Sequence, residues 1–234
     1  MAEDVTQGSR LTVGIVNGKE AKTNSRPYMV SIQLHKQHVC GGFLISDPWV
    51  LTAAHCWEKS HILTVVVGTQ DLRLKSILNH FTVKDYIQHE EHQSRPYRND
   101  LFIAHCTNKI KLNVKCISLP KEDDVAANTL CGVAGWGLQT NGQKCDRLME
   151  ANVTTKKKIE CHLRWGAEYV ASQMICVYGS GGSCRGDSGG LLVCGDTAVG
   201  ITSFGDSYHC NLLERPNMTY ISEEQCKTPY CSMA

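Results

Sequence analysis

The chain has 234 residues, with 24 Lys and Arg against 23 Asp and Glu and a formal net charge of +1. At roughly 150 residues per domain it holds one or two domains, and single all-β domains of about 200–250 residues are common, so there is room for a sizeable core. The charge balance leaves no electrostatic footprint for nucleic acid and no acidic tail, and no stretch approaches the roughly 18 apolar residues of a transmembrane helix.

Cysteine is the outlier, at 13 residues. Spread along the chain rather than set in CxxC pairs, these residues point to disulfides and an oxidising compartment and away from zinc. An odd count leaves at least one thiol without an internal partner. Residues 1–14 contain no apolar run of about 7–15 residues, so no signal peptide is read there.

In chain order, short β-branched runs bounded by Gly, Pro, Asn or Asp dominate: Tyr28–Ile32, Gly42–Ile45, Leu63–Val67, Leu191–Val193 and Val199–Ile201. Strands at roughly 10-residue spacing suggest a sandwich or barrel rather than βαβ units. Short helices are expected around Ala53–Cys56 and Glu160–Trp165. Lys156-Lys157-Lys158 is the dense basic run and reads as a solvated loop or edge. Asn152-Val153-Thr154 and Asn217-Met218-Thr219 fit the N-glycosylation pattern, Asn152 within a strand-like stretch. No repeat or low-complexity linker divides the chain.

Three segments carry chemistry. His55 sits in LTAAHC, behind small residues and next to a cysteine. Asp100 sits at the mouth of an apolar strand, where burying a carboxylate is costly without hydrogen-bond partners. Ser188 sits in SCRGDSGGL, where glycines let the N–H groups of Gly186 and Ser188 face one point. A serine hydroxyl needs a base to become a nucleophile, the base needs a carboxylate to fix its tautomer, and a developing oxyanion needs preorganised N–H donors. Alone, each residue also has an ordinary reading: a core or surface histidine, a strand-start aspartate, a turn serine.

Taken together in the order His, Asp, Ser, these segments resemble the chymotrypsin/trypsin family of serine endopeptidases. The likeness extends to Ile15-Val16-Asn17-Gly18, Cys40-Gly41-Gly42, Gly135-Trp136-Gly137 and Ser203-Phe204-Gly205, and spans about residues 15–221. Arg26-Pro27-Tyr28-Met29 and Gly200–Gly205 look most like the granzyme and mast-cell protease group. The resemblance implies an all-β fold of two six-stranded antiparallel β-barrels with the site between them. It assigns His55, Asp100 and Ser188 as a catalytic triad and the N–H groups of Gly186 and Ser188 as the oxyanion hole. It pairs Cys40 with Cys56, Cys131 with Cys194, Cys161 with Cys176, and Cys184 with Cys210. Cys106, Cys116, Cys145, Cys226 and Cys231 are left over. Cys106 is expected to act as a small buried hydrophobe, and Cys226 and Cys231 could pair with each other.

The resemblance further implies activation by cleavage of Gly14–Ile15, which frees the Ile15 ammonium to pair with Asp187. Residues 1–14 are then a pro-segment or altered leader, 15–221 the peptidase domain and 222–234 an atypical tail in place of the family's C-terminal helix. The chain uncut at Ile15 is expected to be inactive. Gly182, Ser203, Gly205 and Asn217 match the substrate pocket. Gly182 supplies no charge at the floor, which points to large apolar residues rather than Lys or Arg. Thr69 stands where trypsin has a calcium-binding acid, so no metal is expected, and no cofactor. Leu191 replaces the usual proline after GDSGG. The expected partners are protein or peptide substrates and protein protease inhibitors, with no nucleic acid and no membrane, for a monomer in the extracellular space or a secretory granule. Two other readings stand beside the active enzyme: a silent relative acting as a binding module, and a cytosolic metal or redox protein.

Overall fold

The protein is described here from a computed structural model covering residues 15–74, 76–94, 97–110, 114–120, 125–138 and 143–205, and the backbone alone of 217–220. Cys210, Cys226, Cys231, the residues before Ile15 and the tail after residue 221 lie outside the described residues.

The strands run in chain order as β1 (Lys19–Glu20), β2 (Met29–Leu34), β3 (Gln37–Ser46), β4 (Trp49–Thr52), β5 (Leu63–Val67), β6 (His80–Gln88), β7 (Gln93–Ser94), β8 (Tyr97–Arg98) and β9 (Phe102–Cys106). There follow β10 (Leu130–Gly135), β11 (Met149–Thr155), the helix α1 (Lys158–Trp165), β12 (Ile175–Tyr178), β13 (Leu191–Cys194), β14 (Thr197–Phe204) and β15 (Asn217–Tyr220). The strands β2-β3-β4-β9-β6-β5 close into a six-stranded barrel. The later sheet is ordered β1-β11-β10-β13-β14-β15-β12, and a further pairing of β11 with β12 rolls all but β1 into a second ring of six. All the strand pairings are antiparallel.

Side-chain alternation explains why the strand sequences are apolar almost without interruption. Successive side chains leave a strand on opposite faces. In β3, β4 and β9, Leu44, Val50, Phe102 and Ala104 fill the first barrel, whereas Phe43, Ile45, Leu51 and Ile103 point out of it. In the second ring Val133, Leu192 and Val199 point inward, whereas Ala134, Leu191, Val193, Ala198 and Ile201 point out. The two outward sets meet, with Trp136, in one shared core. The strands at the junction are therefore buried on both faces.

Three of the implied disulfides are present: Cys40–Cys56, Cys131–Cys194 and Cys161–Cys176. Cys184 is also disulfide-bonded, and its implied partner Cys210 is outside the described residues. Cys40–Cys56 joins β3 to the turn after β4 and closes a separation of 16 residues, a link worth roughly 3 kcal/mol on a chain-entropy basis. Cys106 and Cys145 are buried free thiols and Cys116 an exposed one; burial pushes the Cys106 thiol up to about 12. Cys106 thus behaves as a core hydrophobe.

α1 turns Cys161 and Trp165, one helical turn apart, toward β12 and β14 and ends at Gly166, whose positive φ of 57° suits glycine. Lys156 pairs with Glu160 at 3.9 Å and lies over the Tyr178 ring, while Lys157 and Lys158 are exposed at the helix start. Asn152 is exposed on β11.

Phe43 is completely buried in the shared core. Phe43→Ala should destabilise the protein by about 3–5 kcal/mol, read from chemical denaturation under oxidising conditions. Because that core belongs to both barrels, the loss should appear as a shift of a single transition. Separate transitions for the two halves would contradict a shared core.

Candidate active site

His55 is set by a one-turn 3-10 helix, Ala54–Cys56, tied to β3 through Cys40–Cys56. Asp100 follows Asn99, whose φ of 49° turns the chain sharply at the mouth of β9. The Asp100 carboxylate accepts the His55 backbone N–H on Oδ1 at 2.9 Å and the ring Nδ1–H on Oδ2 at 2.7 Å. Ser203, from β14 of the second barrel, donates its hydroxyl to the same Oδ2. Burial by itself would raise the Asp100 pKa, but the hydrogen bonds and charge of His55, together with the Ser203 hydroxyl, hold it below the ordinary carboxylate value. A carboxylate only accepts, so Nδ1 of His55 carries hydrogen and Nε2 of the neutral ring is left as an acceptor.

The loop bearing Ser188 is fixed through its backbone. Gly41 N–H donates to the Ser188 carbonyl at 2.8 Å, Gly189 N–H to Thr202 at 2.7 Å, and Gly190 N–H to Asp187 at 2.9 Å. Gly189 has φ 76°, and a Cβ there would stand 2.1 Å from Thr52 Oγ1 and 2.5 Å from the Gly41 carbonyl oxygen. Only glycine allows the Ser188 loop to press this closely on the end of β4, three residues before His55. Ser188 is half-buried, and among the described residues no hydrogen bond joins its hydroxyl to His55.

Behind the loop runs a relay that sequence reading did not find. His38 is buried, and burial lowers its pKa to about 4, so its ring is neutral. Its Nε2 donates to the Gly186 carbonyl at 2.9 Å and its Nδ1 accepts from Ser31 Oγ at 2.8 Å. The carbonyl fixes this tautomer, since it can only accept. The relay anchors the carbonyl of Gly186, whose φ is 92°, two residues before Ser188. A separation of 148 residues between His38 and Gly186 left no local signal for it.

Asp187 is completely buried. Its carboxylate accepts the N–H groups of Gly137 at 2.8 Å and Cys184 at 2.9 Å. Burial outweighs these two bonds and pushes its pKa up to about 7, and among the described residues no ion pair reaches it. Ile15 is buried in the second barrel's core with φ 44°, and the next residue, Val16, exchanges backbone hydrogen bonds with Gly182 at 2.8 and 3.1 Å. Gly182 is buried and Gly205 is half-buried, while the Asn217 side chain lies outside the described residues. Ser203, grouped with the substrate contacts on sequence, has its hydroxyl on Asp100. The Tyr97 ring stands 5.2 Å from His55 and 5.7 Å from Phe204, which meets Trp165 edge-on at 5.5 Å, so an aromatic wall borders the histidine.

The one grouping of potential metal ligands among the described residues is Cys40, His55 and Cys56. Its two sulfurs are bonded to each other, leaving no thiolate to offer a metal.

The chain is similar to known proteins over most of its length. The trypsin family profile matches residues 15–223. Granzyme M of Rattus norvegicus is 37% identical over 223 residues, covering 90% of this chain and 86% of that protein. Cathepsin G of Homo sapiens is 34% identical over 203 residues, covering 82% and 78%, and mast cell protease 3 of Ovis aries is 35% identical over 205 residues, covering 82% and 79%. Among solved structures, neuropsin, a serine protease expressed in the limbic system of mouse brain, superposes with a TM-score of 0.84 at 26% identity, covering 94% of this chain and all of that one. The chain belongs to the trypsin family of serine proteases.

Proposed function

We propose that the protein is a serine endopeptidase in which Ser188 attacks the scissile carbonyl carbon while His55 takes its proton. The peptide C–N bond then breaks as His55 returns that proton to the leaving amine, and water, deprotonated by His55, hydrolyses the acyl-serine. Asp100 holds the His55 tautomer and balances the imidazolium, and the N–H groups of Gly186 and Ser188 stabilise the oxyanion. The observation that carries this reading is the Asp100 carboxylate, which takes two hydrogen bonds from His55 in one barrel and one from Ser203 in the other. A serine–histidine bond that is loose in the free enzyme is compatible with it, since such bonds tighten when substrate binds. Nothing in this geometry favours the silent alternative. The disulfides support a secreted or granule-stored protein.

We also infer that cleavage before Ile15 is required. A buried Asp187 without a cation tends to stay protonated, and an ammonium freed at Ile15 would supply the partner that keeps it ionised. The Val16–Gly182 hydrogen bonds would carry the same event to the pocket. With Gly182 at its floor, that pocket offers a cationic side chain no counter-charge, and large apolar residues (Phe, Tyr, Leu, Met) are its expected occupants.

Two experiments test the activity. The chain cut before Ile15 should be labelled by a fluorophosphonate, the uncut chain should not, and Ser188→Ala should abolish labelling; folded, cut protein that stays unlabelled would sink the enzyme reading. On a peptide library the cut chain should cleave after large apolar residues, and cleavage mainly after Lys or Arg would overturn the pocket reading.

Asp187 gives a stability test. In the uncut chain the folded carboxyl keeps its proton up to about pH 7, whereas the unfolded one releases it around pH 4. The folded state therefore binds the extra proton across that window, and stability falls as pH rises through it. Thermal unfolding should show Asp187→Asn gaining on the uncut parent between about pH 4 and 7. In the cut chain the ammonium pairs with the carboxylate, and the same substitution should destabilise at neutral pH. Parallel pH profiles for uncut parent and variant would refute a raised Asp187.

A further inference from the structure

A second histidine faces the Asp100 carboxylate. The turn before β7 is strapped to the start of β9: His89 N–H donates to the Leu101 carbonyl at 3.0 Å, His92 N–H to the His89 carbonyl at 3.0 Å, and Asn99 Nδ2–H to the Glu91 carbonyl at 3.1 Å. These bonds deliver the imidazole of His92, its side chain only 8% exposed, beside Asp100. Its Nδ1 lies 3.3 Å from the Asn99 carbonyl oxygen and 4.0 Å from Asp100 Oδ1. A carbonyl only accepts, so His92 Nδ1 carries hydrogen whether the ring is neutral or charged. Among the described residues, Oδ2 takes both the His55 ring and the Ser203 hydroxyl, whereas Oδ1 takes the His55 backbone N–H alone. Oδ1, with acceptor capacity to spare, is the oxygen that faces His92.

We propose that His92 is a positioning residue for the peptidase reaction, acting through Asp100. It has two effects. Its Nδ1–H holds the Asn99 carbonyl and so fixes the left-handed turn that aims Asp100 at His55. Its positive edge also draws on the same carboxylate charge that would hold a proton on His55, and it draws more strongly when the ring is protonated. This rests on the reading of His55 and Asp100 as catalytic partners. The charged and titratable groups around His92 are His89, Glu90 and Glu91 on its own turn, Tyr97 and Arg98 on the facing strand β8, and Asp100 with His55 on the barrel. Among the described residues Asp100 is the carboxylate within ion-pair reach of it.

The sign follows from competition for one carboxylate. Without His92, Asp100 gives more of its charge to His55, which then keeps its proton to higher pH; since the base must be unprotonated to act, the acid limb of kcat/KM moves up. The test uses the cut chain and its His92→Phe and His92→Gln variants, with kcat and KM measured across pH on a peptide substrate. His92→Phe should raise the midpoint of the acid limb by roughly 0.5–1 pH unit and lower kcat more than it changes KM. His92→Gln keeps a donor for the Asn99 carbonyl but cannot be protonated. It should recover kcat while keeping an upward shift, and it decides the matter if His92→Phe does not fold. Acid limbs that coincide with the parent's in both variants, or in His92→Gln alone if only it folds, would overturn the proposal. A cut parent that is folded but neither cleaves nor labels would overturn the underlying reading, and the role of His92 with it.

Discussion

A carboxylate buried where two barrels meet must be surrounded by donors, because leaving its charge uncompensated there costs several kcal/mol. Three places meet there: Asp100 itself at the start of β9, its two His55 donors in the turn after β4, and Ser203 on the strand β14. None of these is local to the others in sequence. They coincide only when the first barrel has closed and the second has docked on it through Phe43, Leu51, Ile103, Trp136, Leu191 and Ile201. The apolar junction and the polar cluster at its edge are thus two parts of one constraint. The junction fixes where β14 lies relative to β9, and the carboxylate penalises any departure from that placement.

The second buried carboxylate works differently. Asp187 receives two backbone N–H groups and no cation among the described residues, so its charge is only half compensated. The two aspartates therefore divide the labour of the site. One is satisfied in the chain as it stands and holds its histidine. The other is left wanting a positive charge, and it lies in the backbone next to Ser188. On the activation proposed above, that deficit is what would couple the loop to a cation freed at Ile15.

Legibility in the sequence followed the physics of each feature. Val30, Ser31 and Ile32, Leu63–Val67 and Leu191–Val193 read as strands because both of their faces are largely buried, which leaves an apolar run broken only by Ser31 and Thr64. β6 did not, because Lys84 and Asp85 face solvent and interrupt the pattern. The closure of the second ring through β11 and β12 has no sequence signal at all, being a pairing of segments separated by the helix α1. At the site, His55, Asp100, Asp187 and Ser188 stood out because their neighbours are constrained in type: small residues before the histidine, glycines after the serine. His38, Ser31, Thr52 and His92 did not, because each makes its contact only once strands and turns have paired, and none needs a special neighbour in sequence. With ten histidines in the chain, residue type alone could not single out His38 or His92. Three of the disulfide pairings came from family likeness, and spacing by itself would not have selected them.

The reciprocal hydrogen bonds between Val16 and Gly182 have a consequence in thermodynamic linkage. If the pocket floor and the N-terminal segment share one pair of bonds, filling the floor and seating that segment favour each other by one reciprocal coupling free energy. A small molecule that fills the pocket would then do more than compete with substrate. On the activation proposed above, such a molecule bound to a chain still joined at Ile15 would reinforce bonds that chain already makes, so that an inhibitor of the cut enzyme would also steady the N-terminal segment of its precursor.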